Sequence, residues 1–309
     1  HSLSFVHQGF VQSSISPSNP ATTVSDTNPL IDRKNDTRYS VLRYGFDGGP
    51  SLGGDLTLYR DALLIRENRV DEPRHDQTDF ATIGSSGQLS LALPLRLAPL
   101  LTLGGDIYRD QAQATRDGVP RPQYPDSERQ VAGVFAQLEW PIGPVRVVPG
   151  LRYDRYRARS NQDDTPDVEE TAVSPKLGLI WEPFGSGALR LRAAVNSAFR
   201  APGLIEIYAA GQHFLGNDFV PNPQLRPEKA RNIEIGLDAT WPGFGRADHF
   251  SAEASIYRNR VEDYIELFVS VEEEVPAPRC LAPLPPVGCV NRNDDGSLNP
   301  TMPPIFVGG

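Results

Sequence analysis

The chain has 309 residues, with 30 Lys and Arg against 39 Asp and Glu and a net charge of -9. That balance argues against a nucleic-acid binder, which needs a basic face to meet phosphates. Hydrophobic residues make up 39%, and Gly 27 and Pro 29 are high counts, so the chain is too apolar for simple disorder and rich in turns. No run of 18 or more apolar residues occurs, which excludes a transmembrane helix but not a spanning β-barrel, whose strands each carry a weak signal.

From the first residue the pattern is one of period-2 alternation. His1 opens directly in strand-like sequence, with no basic region followed by an apolar one, so no signal peptide is expected here and the chain reads as an internal piece of something longer. Further along, Leu101, Leu103 and Ile107 alternate with Thr102, Asp106 and Tyr108. The stretch Leu189 to Asn196 is apolar at odd positions and mostly polar at even ones. Ile233, Ile235, Leu237, Ala239 and Trp241 alternate with Asn232, Glu234, Gly236, Asp238 and Thr240, and Ala252, Ala254 and Ile256 with Glu253, Ser255 and Tyr257. About eleven strands follow: 1–10, 37–47, 54–66, 79–93, 100–113, 128–140, 144–158, 172–182, 188–199, 230–241 and 248–262. Most reach the roughly 9–11 residues of a membrane strand, where a soluble strand averages about five or six.

The connections are expected to alternate strictly. Long ones (11–36, 67–78, 114–127, 159–171, 200–229 and the tail from 263) take turns with short ones (48–53, 94–99, 141–143, 183–187 and 242–247), the order of an up-and-down barrel with short periplasmic turns and long outer loops. All three tryptophans precede a short turn, in Trp140-Pro141, Trp181-Glu182-Pro183 and Trp241-Pro242. An amphipathic ring favours the headgroup level, so they read as an aromatic girdle at one membrane edge. Apolar positions then face lipid and charged ones a wet or plugged lumen. An odd count of strands does not close an ordinary bacterial barrel, so the chain is expected to be about half of a larger, plugged one.

The remaining features are quieter. Cys280 and Cys289, the only cysteines, have eight residues between them in a Pro-rich stretch and read as a loop disulfide in an oxidising compartment, the alternative being two free thiols. The acidic runs at 163–170 and 272–274 read as solvated loops. The segment from Asn291 starts like a calcium loop but has Met302 at its twelfth position, where Glu belongs. HExxH, GxSxG, GxxxxGK[ST] and CxxC are absent, so no enzyme activity is expected. His1, His7, His75 and His249 read as bland, the first two on a strand, His75 in an outer loop and His249 after a short turn.

The most specific stretch lies at 196–236: Asn196-Ser197-Ala198-Phe199-Arg200-Ala201-Pro202, then Glu206 to Phe214 (EIYAAGQHF), then Asn222-Pro223-Gln224-Leu225-Arg226-Pro227-Glu228 and Asn232 to Gly236. Together with Leu103 to Asp110, Gly150 to Asp154 and Ser174 to Leu179, it resembles the TonB-dependent outer-membrane receptors over essentially residues 1–265. The resemblance implies an all-β, transmembrane, antiparallel up-and-down barrel of 22 strands with an N-terminal plug. About 11 of those strands lie in this chain, and energy comes from the inner membrane through TonB. Residues 1–309 would be part of the barrel domain, 263–309 a long extracellular loop, and the plug, its TonB-contacting segment and the closing strands would lie outside the chain.

Within that superfamily an FRAP box and an NPNL box flanking a histidine resemble the haem and haemoglobin receptors. Here FRAP is intact as Phe199, Arg200, Ala201 and Pro202, and the second box reads Asn222, Pro223, Gln224, Leu225, with Gln224 in place of Asn. Similar boxes occur in receptors for ferric siderophores and cobalamin, and zinc-type receptors resemble this stretch in carrying a loop histidine; these are the alternative cargoes, and a passive porin or adhesin is the alternative of another class. The resemblance implies import of haem from haemoglobin or a hemophore, with His213 as iron ligand, since a neutral imidazole ligates haem iron well. Phe214 would pack on the porphyrin, and Arg200 and Tyr208 are further candidate contacts. Arg200 has two possible roles, one on a haem propionate and one in an ion pair with Glu206 or Glu228; Tyr208 either ligates iron or packs at the loop base. Pro202 and Pro223 fix φ, and Pro227 biases Arg226 to an extended form, shaping the loop that presents His213. A second iron ligand would come from the plug.

Overall fold

A computed structural model describes the chain apart from residues 20, 22, 27, 163–164, 185–186, 215–216, 243–248, 270–305 and 309, and describes only the backbone path of 212–214, 217–218, 242, 267–269 and 306–308. Eleven long strands in one antiparallel sheet dominate it: β1 (Ser2–Pro17), β2 (Leu30–Asp47), β3 (Leu52–Arg69), β4 (His75–Ala92), β5 (Leu100–Arg116), β7 (Ser127–Ile142), β8 (Val145–Ser160), β9 (Val168–Trp181), β10 (Leu189–Arg200), β13 (Glu228–Pro242) and β14 (His249–Glu262). A two-residue stub, β6 (Val119–Pro120), pairs back onto β5 as a twelfth member. Every long strand hydrogen-bonds the next long strand in sequence, the up-and-down order expected. Within the connection between β10 and β13 sit one short helix, α1 (Leu204–Tyr208), and the hairpin β11 (Gly211–Phe214) with β12 (Asn217–Phe219). Beyond β14, β15 (Leu267–Val269) pairs antiparallel with β16 (Phe306–Gly308). Cys280, Cys289, the acidic run 272–274 and the Asn291 segment lie outside the described residues.

The strands number as predicted and span 12 to 18 residues, most of them longer than expected, with β10 and β14 the exceptions. The extra length lies at the ends toward the long loops. Val11 to Pro17, expected in a loop, pair with Leu30 to Asp36, also expected in a loop. Apolar alternation stops where lipid would stop, whereas backbone ladder bonds continue as long as two strands stay in register. The strict alternation of loop lengths fails for the same reason. Residues 70–74 form a five-residue outer connection, shorter than the seven-residue turn 93–99. His75 likewise is not a loop residue; it opens β4, and its ring Nδ1 lies 2.7 Å from Asn68 Oδ1 on β3.

One face of the sheet carries the apolar alternation: Leu56, Ile83, Leu103, Ile107, Val134, Leu151, Val173, Leu177, Val195 and Ile233 are all exposed there. Trp140, Trp181 and Trp241 stand exposed on this face beside the short turns, Trp241 stacked on Phe250 at 5.8 Å. Tyr44 and Phe46 add a stacked pair at the same end of β2. The opposite face is polar and ion-paired. Arg152 on β8 reaches Asp106 on β5 at 2.7 Å and Asp154 at 2.7 Å, and Arg192 on β10 reaches Glu253 at 2.6 Å. Gly133 lies beneath the first of these networks, where a Cβ would collide with Arg152 Nη2; the glycine leaves room for the guanidinium to lie flat.

Candidate functional site

Among the described residues the hydrophobic core lies on the polar face, toward the long-loop end, where residues 201–211 and 222–227 fold back onto the wall. Leu204, Ile207 and Tyr208 bury one side of α1, the i, i+3, i+4 spacing of a one-sided helical contact. They meet Ala112 of β5, Val131 of β7, Tyr156 and Ala158 of β8, with Ala201, Leu225 and Ile265 closing the edges. Tyr156 is 0% exposed and forms the platform under the loop. Burying side chains such as Leu204 and Ile207 contributes about 1.5–3 kcal/mol each, against the entropy of ordering a loop.

Polar contacts fix the loop's position. Arg129 of β7 pairs with Asp110 of β5, donates to the Pro202 carbonyl at 2.9 Å, and lies over the Tyr108 ring. Thr82 of β4 donates to the same Asp110 at 2.7 Å. The FRAP box is thereby latched to the wall through its proline carbonyl, an acceptor whose own ring takes no backbone hydrogen bond. Glu206 closes the first turn of α1 by accepting from the Gly203 backbone N–H at 2.6 Å. Asn222 is doubly used: its N–H donates to the Ile207 carbonyl at 2.9 Å, and its side-chain oxygen accepts from the Gln224 N–H at 3.2 Å, an Asx-turn. Gln224 is exposed and gives this turn only its backbone N–H, so the departure from Asn at that position leaves the turn's hydrogen bond unchanged.

Other outer connections join in. The Ala210 N–H donates to the Pro122 carbonyl at 2.9 Å, the Tyr208 hydroxyl to the Pro166 carbonyl at 3.3 Å, and the Ile265 N–H to Glu228 Oε1 at 2.9 Å. Arg226 reaches Asp263 at 2.8 Å. Gly211 takes φ +74, and a Cβ there would stand 3.0 Å from Pro122 Cγ. Only glycine makes this bend cheaply, and the bend leads into β11.

The structure places the sequence-predicted residues as follows. His213 and Phe214 are in β11, with Phe214 paired to Asn217 across the hairpin and a register shift at His213. Arg200, at the outer end of β10, donates to Glu228 at 2.8 Å and to Glu206 at 3.2 Å, so its guanidinium is engaged by two carboxylates of the chain itself. The hydrogen bond from Arg200, with that of the Ile265 N–H, outweighs burial and holds the Glu228 carboxyl below its ordinary range. Tyr208 is 1% exposed, packed at the loop base, and burial followed by the charge of Asp167 pushes its phenol up to about 12. Phe199 packs against the same cluster, while Ala201, Pro202 and Leu225 are buried. The boxes thus build the platform of the loop, and β11 with His213 is what the platform carries.

Sequence reasoning missed Arg129, Tyr156 and Pro122. A signal for Tyr156 was present: in Arg155-Tyr156-Arg157-Ala158-Arg159 the alternation sets Tyr and Ala on the polar face and arginines on the other, an inversion that marks where something packs on the polar face. A second missed cluster centres on Asp76, which Arg74, Arg116 and Arg121 approach at 2.8, 2.9 and 3.4 Å. Burial raises the Asp76 pKa, but the hydrogen bonds from Arg74 and Arg116 and the charge of Arg121 prevail and lower it. Among the described residues no group of three or more His, Cys, Asp or Glu could hold a metal ion.

An antiparallel meander, apolar on one face with tryptophans at one rim, ion-paired on the other and capped by an inward loop, defines a wall of a membrane β-barrel receptor. The chain belongs to the family described as TonB dependent receptor-like, beta-barrel, whose model matches residues 3–275. It is 30% identical over 264 residues to a heme/hemopexin utilization protein C of Haemophilus influenzae, covering 80% of this chain and 35% of that protein. It is 27% identical over 289 residues to a hemin receptor of Yersinia pestis, covering 88% and 41%. Among solved structures it is similar to the Serratia marcescens hemophore receptor HasR, determined as a double mutant with its hemophore HasA and heme, with a TM-score of 0.69, 19% identity, and coverage of 99% of this chain and 47% of that one. The chain spans 35–47% of the length of these proteins.

Proposed function

We propose that this chain is the haem-receiving half of an outer-membrane receptor that imports haem with energy supplied through TonB. In this reading the apolar face meets lipid, the polar face lines a 22-stranded barrel, and a plug outside the chain fills it. Residues 263–309 form one long extracellular loop, whose described ends, β15 and β16, pair with each other. Haem arrives from haemoglobin or a hemophore. It is held between His213 and a histidine of the plug, with Phe214 against the porphyrin. The protein binds and hands on; it performs no catalysis.

The observation that carries this reading is the docked loop. Tyr156, Arg129 and the two boxes hold residues 201–211 and 222–225 over the polar face, and the Gly211 bend leads directly into the strand that bears His213. Relatives named for heme and hemin match over this region. Arg200 and Tyr208 serve the loop rather than the iron, since their polar groups are spent on Glu206, Glu228 and Pro166. A protonated imidazole cannot ligate, so binding through His213 weakens on acidification.

The test is an absorption titration of the full-length, detergent-purified receptor with haem, beside its His213→Ala form. A sharp Soret shift in the parent that disappears in the variant is the expected result. No shift in the parent moves the cargo to a ferric siderophore, cobalamin or zinc. Haem-dependent growth that persists without TonB would instead favour a passive pore.

A further inference from the structure

The loop end of the polar face holds an imbalance of charge within an acidic chain. Around Asp76 stand three guanidinium groups, those of Arg74, Arg116 and Arg121. The neighbouring pairs are balanced one to one: Arg33 with Glu67 at 2.6 Å and Arg69 with Glu72 at 2.7 Å. The nearby Asp117 carboxylate accepts from the His75 backbone N–H at 2.8 Å. One buried carboxylate therefore faces three cations, and Arg121 Nε is buried with no hydrogen-bond partner among the described residues. Arg116 keeps 39% of its side chain open to solvent. Such an excess of forked, permanently charged donors is a site for a second carboxylate or other oxyanion.

Its place in the fold ties it to the loop. Asp76 and Arg116 face each other in register, on the same side of β5 as Ala112 and Ala114, which are buried. The Arg121 N–H donates to the Ala114 carbonyl at 2.8 Å. The next residue, Pro122, is the one that receives the Ala210 N–H and abuts Gly211. The cluster and the strand bearing His213 are thus the two sides of a single junction.

We propose that Arg74, Arg116 and Arg121 form an anion subsite that takes a carboxylate of the ligand held at β11. On the haem reading, on which this inference rests, that group is a haem propionate, and the role falls to this cluster instead of Arg200, which two carboxylates already occupy. Asp76 keeps the three cations together while leaving them a net positive charge.

The experiment titrates the full-length receptor in detergent with haem and with haem dimethyl ester, which keeps the iron and porphyrin but has no free carboxylate. The parent is expected to bind haem about tenfold more tightly than the ester, the weight of a charge-assisted hydrogen-bond pair. Arg116→Gln and Arg121→Gln bring that ratio to about one by weakening haem alone. Arg116→Lys keeps the charge that Asp76 needs, so it assembles even if the Gln variants do not, and the loss of the fork lowers the ratio severalfold. Equal binding of haem and ester by the parent, or an unchanged ratio in Arg116→Lys, overturns the subsite while leaving haem as cargo. A parent that shows no Soret change with either compound overturns the subsite and the haem reading together.

Discussion

At the scale of single residues, the docked loop depends on two side chains that have opposite polar bookkeeping. Tyr156 is fully buried, yet its hydroxyl has no partner among the described residues. An unpaired buried hydroxyl costs about 1–3 kcal/mol, so Tyr156→Phe is expected to leave the receptor unchanged or more resistant to thermal unfolding. Tyr156→Ala removes the ring itself, and a loss of about 3–5 kcal/mol, typical of an aromatic cut from a core, should loosen the loop. A Phe variant less stable than the parent would show that the hydroxyl has a partner in the complete receptor. Arg129 is the reverse case, with each of its contacts made: Asp110, the Pro202 carbonyl and the Tyr108 face. Arg129→Ala leaves Asp110 with the Thr82 hydroxyl as its remaining donor among the described residues, and losing a charge-assisted contact of this kind costs about 1.5–3 kcal/mol. Amide exchange through residues 203–211 should then rise sharply while the long strands keep their protection. Unchanged exchange there would mean that the helix packing alone holds the loop.

Elements show where sequence was legible and where it was not. All eleven long strands could be read from alternation, because half-buried strands write their two faces into every second residue. Their outer ends could not, since Val11 to Pro17 pair with a polar partner strand and carry no apolar period. The FRAP and NPxL boxes were legible as words, but their work, latching a carbonyl to Arg129 and making an Asx-turn at Asn222, depends on residues distant in sequence. For β11 the decisive residue is Gly211. Gly211→Ala forces a side chain into a positive-φ position and against Pro122, a cost of about 1–2 kcal/mol, and on the proposed haem reading should weaken haem binding without affecting barrel assembly. Acid should release the same region. Asp76 and Glu228 both have pKa values lowered in the folded protein from 3.8 and 4.5. Their stabilisation is therefore complete above those unfolded-state values and is lost as pH falls through the lower folded ones. Amide protection factors, which remove the intrinsic pH dependence of exchange, should fall in 201–211 and in the β5–β7 connection that follows Arg116 below about pH 4 and be flat between pH 6 and 8; a fall already present at pH 6 would point to other groups.

For the whole molecule, the apolar face and its tryptophan rim make a depth prediction. With Trp140, Trp181 and Trp241 each 43–49% exposed on that face, lipids brominated near the headgroup should quench them more than lipids brominated at the chain ends. Replacing the three by Phe should remove that part of the signal, and equal quenching at both depths would remove the girdle. The same arrangement orders assembly in time. Each long strand pairs with its neighbour in the chain, so the wall is a sequence of local hairpins with little loop-closure entropy at each step. The mouth is different: Arg129 meets Pro202 across 73 residues, and Tyr208 meets Pro166 across 42. Contacts that close such long stretches of chain form slowly, and these have no platform until β5, β7 and β8 stand side by side. The docked loop is accordingly the last part of this chain to be built, so folding passes through a stage in which the strands are already paired and the loop still lies off them.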